Sequence, residues 1–177
     1  MENFDIMNAP LEIERKFLIQ YPDTDALRQM PEYRVVHMEQ SYLQATEDFI
    51  GGRIRRITES GKERFVYTYK VRLTELTRRE YERDITAEEY AELLMRKTPG
   101  TITIRKDRHV FRYEGLVYEL DVYDFWKDRA TLEAEVTSED TPIPVPPCVN
   151  LIREVTCDRR YNNSRLAESG GVFDDEL

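Results

Sequence analysis

Leu11-Glu12-Ile13-Glu14-Arg15-Lys16-Phe17-Leu18-Ile19 changes character from one residue to the next. Side chains along a β-strand point to opposite faces in turn. Glu12, Glu14 and Lys16 therefore share one face, while Ile13, Phe17 and Ile19 lie on the other with Arg15. The pattern predicts a strand over residues 10–19 with one charged and one mainly apolar face. The same division returns along the chain. Arg53 aligns with Arg55; Thr68, Lys70 and Arg72 oppose Phe65, Tyr67, Tyr69 and Val71; Arg78, Glu80, Glu82 and Asp84 oppose Tyr81 and Ile85. Lys106 aligns with Arg108, Glu119 with Asp121, and Glu133 with Glu135.

Further strands are predicted over residues 33–45, 53–58, 64–72, 77–85, 101–112, 116–125 and about 130–137, eight in all. Ser60-Gly61-Lys62 reads as a tight hairpin turn. Thr86-Ala87-Glu88-Glu89 has the spacing of a helix start, with an apolar stripe through Tyr90, Leu93 and Leu94 and a stop at Pro99-Gly100. The four prolines of residues 141–147 mark a connector. Residues 152–156 suit a short strand and 158–168 a short helix before a loose tail. The expectation is one domain over residues 1–177, with its core at about 10–168.

Composition narrows the function classes. The chain is 34% charged and 40% hydrophobic, with a net charge of −9. That balance argues against a broad nucleic-acid or membrane surface, though not against a small anion held locally by cations and metal. No basic and apolar leader precedes the first strand, and no stretch is apolar enough for a membrane span. Cys148 and Cys157 make no disulfide framework, so a reducing cytoplasm is expected. Walker and dinucleotide glycine patterns are absent. His37, His109, Cys148 and Cys157 lack zinc spacing, and both histidines read as structural.

Charged strand faces of this kind suit a sandwich whose polar faces meet water. They also suit a sheet that closes, with one face lining an interior large enough for one small ligand. Parity does not say which face points inward. An interior of Glu, Lys and Arg would have to pair its charges or bind metal or a polyanion.

The first strand closely resembles the ExExK strand of the CYTH, or triphosphate tunnel metalloenzyme, superfamily. Other landmarks follow in that family's order: Gln40-Ser41-Tyr42-Leu43, Arg53-Ile54-Arg55, Thr68-Tyr69-Lys70, Arg78-Arg79-Glu80-Tyr81-Glu82, Lys106-Asp107-Arg108, Glu119-Leu120-Asp121, Glu133-Ala134-Glu135, and the closing Glu154-Val155-Thr156 with Arg160-Tyr161-Asn162. The resemblance spans residues 11–167. Arg105 and His109 depart from its usual pattern around Lys106 and Arg108. It implies an α+β, mainly antiparallel fold, a closed eight-stranded β-barrel or tunnel with a few peripheral helices.

Four carboxylates on two such strands, Glu12 and Glu14 with Glu133 and Glu135, make a hard-oxygen site for Mg²⁺ or Mn²⁺, and the resemblance implies the same ligands. Lys16, Arg53, Arg55, Lys70, Lys106 and Arg108 would converge on a triphosphate only inside a barrel. Glu80, Glu82, Glu119 and Asp121 are expected as supporting acids; Arg72 and Arg78 suit either pairing or binding. Lys16 and Tyr42 match a Lys–Tyr pair thought to handle the proton in similar hydrolases, with neighbouring cations expected to favour loss of the Lys16 proton. The resulting expectation is a metal-dependent hydrolase of a linear triphosphate, inorganic tripolyphosphate above all. Thiamine triphosphate and an RNA 5′-triphosphate are further substrates in view. A class IV adenylyl cyclase and a non-catalytic polyphosphate- or nucleotide-binding module are the alternatives. Oligomeric state stays open, a homodimer included.

Overall fold

The structure, a computed structural model, describes residues 11–72, 77–138 and 140–173. The side chains of Leu11, Glu12, Val71, Arg72, Thr77, Arg78 and Arg79 lie outside that description. The strands are β1 (Leu11–Gln20), β2 (Arg34–Leu43), β3 (Gly52–Glu59), β4 (Lys62–Arg72), β5 (Thr77–Ile85), β6 (Ile104–Tyr113), β7 (Leu116–Tyr123), β8 (Arg129–Val136) and β9 (Leu151–Glu154). They form an antiparallel sheet in the order β5-β4-β3-β2-β6-β7-β8-β1-β9. β1 also pairs with β5 over three positions, Leu11↔Arg79 to Ile13↔Thr77, which brings the ends of an eight-stranded ring together. Further along, β9 takes that edge of β1, from Phe17↔Glu154. Hydrogen bonds therefore seal the barrel over a short stretch rather than along its height.

Closure decides the question that parity leaves open: the charged faces point inward. The larger apolar clusters lie outside the ring. Phe17, Ile19, Phe111, Tyr118, Leu120 and Leu132 pack with Leu27 of α1 (Thr24–Leu27) and Val149. Ile54, Tyr67 and Ile85 pack under Tyr90 of α2 (Ala87–Leu94), whose start is capped by Thr86 Oγ1 accepting from Glu89 N at 3.1 Å. The proline segment is irregular, as expected, and Pro144 O accepts from the Tyr118 hydroxyl at 2.5 Å.

Three expectations are corrected. The strand expected from residue 101 begins at Ile104, because the preceding segment bonds elsewhere: Ile102 N donates to Ala167 O at 2.8 Å, and the Thr103 and Ser41 hydroxyls meet at 2.8 Å. The C-terminal helix is broken into a 3₁₀ turn, Arg159–Tyr161, and α3 (Asn163–Ser169), with extended backbone at Asn162 between them. The interior is also not charged throughout, since Val36, Met38, Ile57 and Val66 form a buried cluster on the inward parity of β2, β3 and β4.

Gly52 opens β3 immediately before Arg53, at φ +114°, and a Cβ there would stand 2.6 Å from Thr68 O in the neighbouring strand. Gly52→Ala is expected to destabilise the fold by about 2 kcal/mol or more, through a strained backbone and that clash. Urea unfolding checks this; an unchanged midpoint would show that the β3–β4 seam yields freely.

Candidate active site

The ladders bring most of the charged positions to one interior. β6 and β7 set Arg108 opposite Asp121, and β1 and β8 set Lys16 opposite Glu133 and Glu14 opposite Glu135. Asp121 is fully buried. Its Oδ1 accepts from Arg108 Nε at 2.7 Å, its Oδ2 accepts from Arg108 Nη2 at 2.8 Å, and Lys106 Nζ also pairs with Oδ2. Arg108 continues to Glu119 and, at 3.2 Å, to Glu133. Glu133 accepts from Lys16 Nζ at 2.8 Å. Burial alone would raise the Glu133 carboxyl, yet Lys16, Arg108 and Lys106 hold it well below its ordinary range.

Lys16 is the clearest departure from expectation. Burial disfavours its charge, but Glu133, then Tyr123 and Glu14, more than reverse this and raise its pKa. These carboxylates hold it as an ammonium, the reverse of the expected titration. The group pushed down is Lys106, to about 8, by burial and then by Arg108, against the pull of Asp121.

The opposite wall is less fully neutralised. Arg53 Nη2 donates to Glu80 at 3.0 Å, and Lys70 pairs with the same carboxylate. Arg55 Nη1 reaches Glu82 only at 3.7 Å, while its Nε donates to Gln40 Oε1 at 3.0 Å. Burial, then Arg53 and Arg108, lower the Arg55 guanidinium to about 10. Arg53 Nε is buried and has no hydrogen-bond partner among the described residues. Tyr42, beside it, has its phenol pKa raised by burial, with Arg53, Arg55 and Lys16 pulling the other way.

These groups line a cavity of about 700 Å³ that includes Glu14, Lys16, Tyr42, Arg53, Arg55 and Lys70. Glu80, Glu82, Arg108, Glu119, Glu133 and Glu135 also border it, along with Asn162 and Asn163 at the C-terminal segment. A second opening, about 650 Å³, meets the same Arg55, Arg108 and Glu119; it is walled by Val36, Met38, Ile57 and Val110 and also bordered by Arg34, Glu59, Lys62, Glu63 and Arg64. Lys106 and Asp121 lie behind the cavity wall as its support. The Glu12, Arg72 and Arg78 side chains lie outside the described residues. Arg15 is on the outer face, bonded to Glu154. His109 is buried against the Tyr33 hydroxyl, and the exposed His37 meets Asp107 at 2.5 Å; neither borders the cavity. Sequence reasoning gave no role to Gln40, although its place in the Gln40-Ser41-Tyr42-Leu43 landmark marked it.

Among the described residues no three acidic side chains converge tightly enough to hold a metal ion. Glu133 is turned toward Lys16 and Arg108. Glu14 and Glu135, facing each other across the β1–β8 ladder at the cavity, still fit a hard cation. Mg²⁺ is commonly held by one or two carboxylates together with substrate phosphates rather than by an all-protein cage.

The barrel thus encloses a buried, cation-rich and carboxylate-edged interior, the form of a tunnel protein. A family model described as the CYTH domain matches residues 10–144, and the chain belongs to that family. It is 35% identical over 161 residues to an inorganic triphosphatase of Nitrosomonas europaea, covering 89% of this chain and 97% of that protein. It is 30% identical over 159 residues to an inorganic triphosphatase of Acetivibrio thermocellus, covering 89% and 94%. The crystal structure of the inorganic triphosphatase NE1496 superposes with a TM-score of 0.56 at 31% identity, over 89% of this chain and 95% of that one.

Removing the charge of Asp121 would leave Lys106 and Arg108 buried without their shared counter-ion. Asp121→Asn is expected to cost about 3 kcal/mol or more, since breaking a buried pair strands the remaining charge. Chemical denaturation measures this; a loss below about 1 kcal/mol would place the support of those cations elsewhere.

Proposed function

We propose that this chain is a metal-dependent hydrolase that removes the terminal phosphate of a linear triphosphate, with inorganic tripolyphosphate as its substrate and Mg²⁺ or Mn²⁺ as its cofactor. The observation that carries the reading is the Arg53–Arg55 pair, two largely buried guanidiniums side by side, one with a buried Nε that has no hydrogen-bond partner among the described residues. Buried donors without partners are costly, and a phosphate oxygen would satisfy this one while relieving the cation crowding. The curated relatives named as inorganic triphosphatases support the same substrate.

In this reading Lys16, Arg53, Arg55, Lys70 and Arg108 bind and orient the phosphates, and Lys106 holds its charge behind them through Asp121. Glu14 and Glu135 would hold the metal, with Glu12 and Glu133 as further donors. The metal, when bound, supplies charge neutralisation at phosphate oxygens and a more acidic water. The chain's own share is positioning plus donors preset for charge that develops on the leaving oxygen. Tyr42 stands at the cavity wall beside both arginines, where its hydroxyl can orient the attacking water.

Incubation with tripolyphosphate and Mg²⁺ or Mn²⁺ should release orthophosphate. Pyrophosphate release from ATP with formation of cyclic AMP would identify a cyclase instead, and no release from a panel of triphosphates would leave a binding module. Glu14→Gln should abolish metal-dependent turnover in a folded protein; wild-type turnover in that variant would overturn the metal assignment. Arg53→Lys keeps the charge but removes the orphaned Nε donor, and should lower kcat/KM by about 10²-fold. An unchanged kcat/KM would mean that the orphaned donor does not face substrate.

A further inference from the structure

We propose that Gln40 is a positioning residue: it ties Arg55 to Tyr42 and fixes the direction in which the Tyr42 hydroxyl presents its proton. The inference rests on the reading above that Tyr42 faces the reacting phosphate. Gln40 is fully buried, on the inward face of β2, two residues from Tyr42 and therefore on the same side of the strand. Across the β2–β3 ladder Gln40 stands opposite Arg55, and Tyr42 opposite Arg53. The four side chains make a patch two residues wide on each strand.

Chemistry settles the orientation of the amide. Arg55 Nε lies 3.0 Å from Gln40, and a guanidinium only donates, so the Gln40 atom facing it must be the carbonyl Oε1. The amide nitrogen is then turned to the Tyr42 hydroxyl, at 2.8 Å. An amide NH₂ only donates, so the phenol oxygen must accept. Arg53 stands opposite Tyr42 across the ladder, and its charge also favours the phenolate. With the Gln40 donor on the oxygen, the phenol's own hydrogen is directed away from it, toward the cavity the ring lines. Glutamate at this position would pair with Arg55 but could not donate, and the phenol would turn its hydrogen inward. A hydrocarbon side chain would leave the hydroxyl free to rotate.

The charged groups facing Tyr42 are Arg53 and Arg55 from β3 and Lys16 from β1, and all three favour the phenolate. Gln40 adds a neutral donor on the same side of the balance. Losing it should raise the phenol pKa, and a carboxylate in its place should raise it further.

The test places 3,5-difluorotyrosine at position 42, which brings phenol ionisation into the range where a folded protein can be titrated, and follows it by ¹⁹F NMR without metal or substrate. The phenol pKa should rise from wild type to Gln40→Met to Gln40→Glu, the last by about one unit or more, a tenfold change in ionisation. In tripolyphosphate turnover, Gln40→Met should lower kcat by about tenfold with KM within about threefold, and the loss should vanish in a Tyr42→Phe background. Coincident titrations in the three proteins, or fully additive losses in the double variant, would overturn the proposal. The titration needs no turnover, so it separates this inference from failure of the substrate assignment. Gln40→Met keeps the shape of the side chain and carries the test if Gln40→Glu does not fold.

Discussion

The buried carboxylate of Asp121 is the charge on which the interior depends. It takes Lys106 and the Nε–Nη2 edge of Arg108, and Arg108 passes the compensation on to Glu119 and Glu133, which holds Lys16. The links join β6 to β7, β6 to β8, and β8 to β1. Isolated charges in such a place would cost several kcal/mol apiece, and their attraction repays this only when the geometry is good and the remaining donors are satisfied. The chain of pairs supplies that geometry from the ladders themselves, because Lys16 and Glu133, like Arg108 and Asp121, are directly opposed in register.

Against that balanced wall, the β3 side is left short of negative charge. Arg53 shares Glu80 with Lys70, and Arg55 has only a distant Glu82 and the neutral amide of Gln40. The same barrel thus contains cations that are held and cations that are kept available. A triphosphate entering beside the second group would complete a hydrogen-bonding set left incomplete by the protein, whereas binding at the first would mean breaking pairs already made. The cations bordering the cavity are spread over β1, β3, β4 and β6, farther apart than a single phosphate could bridge.

Much of this architecture is legible in the sequence because strand parity is robust. The alternation of Glu12, Glu14 and Lys16, of Arg53 and Arg55, and of Glu133 and Glu135 sorts each face without knowing the partner strand. What parity does not carry is register. Lys16 reads as a lysine among cations, and only the pairing of β1 with β8 sets Glu133 against it and reverses the sense of its titration. The broken C-terminal helix escaped for a related reason. Asp158 caps Arg160 N locally and Asn162 is extended, so a continuous run of polar residues conceals two elements. Gln40 was legible as part of a landmark, but its role depends on which of its amide atoms faces Arg55.

The apolar stretch of the interior follows from the same geometry. Moving along β2, the inward residues run Tyr42, Gln40, Met38, Val36, and along β3 they run Arg53, Arg55, Ile57. Past Gln40 and Arg55 the donors are interrupted by Met38, Ile57, Val36 and Val66, which offer a phosphate oxygen nothing to bond, and they resume at the second opening with Arg34, Lys62 and Arg64. A dehydrated phosphate among those apolar side chains would lose its water without compensation, a cost of the kind that excludes unpaired charges from apolar surroundings. This collar thus stands between the polar groups around Tyr42, Lys70, Asn162 and Asn163 and the cations of the second opening. Arg55 and Arg108 border both openings, so the apolar collar lowers the dielectric around them without sealing either from solvent.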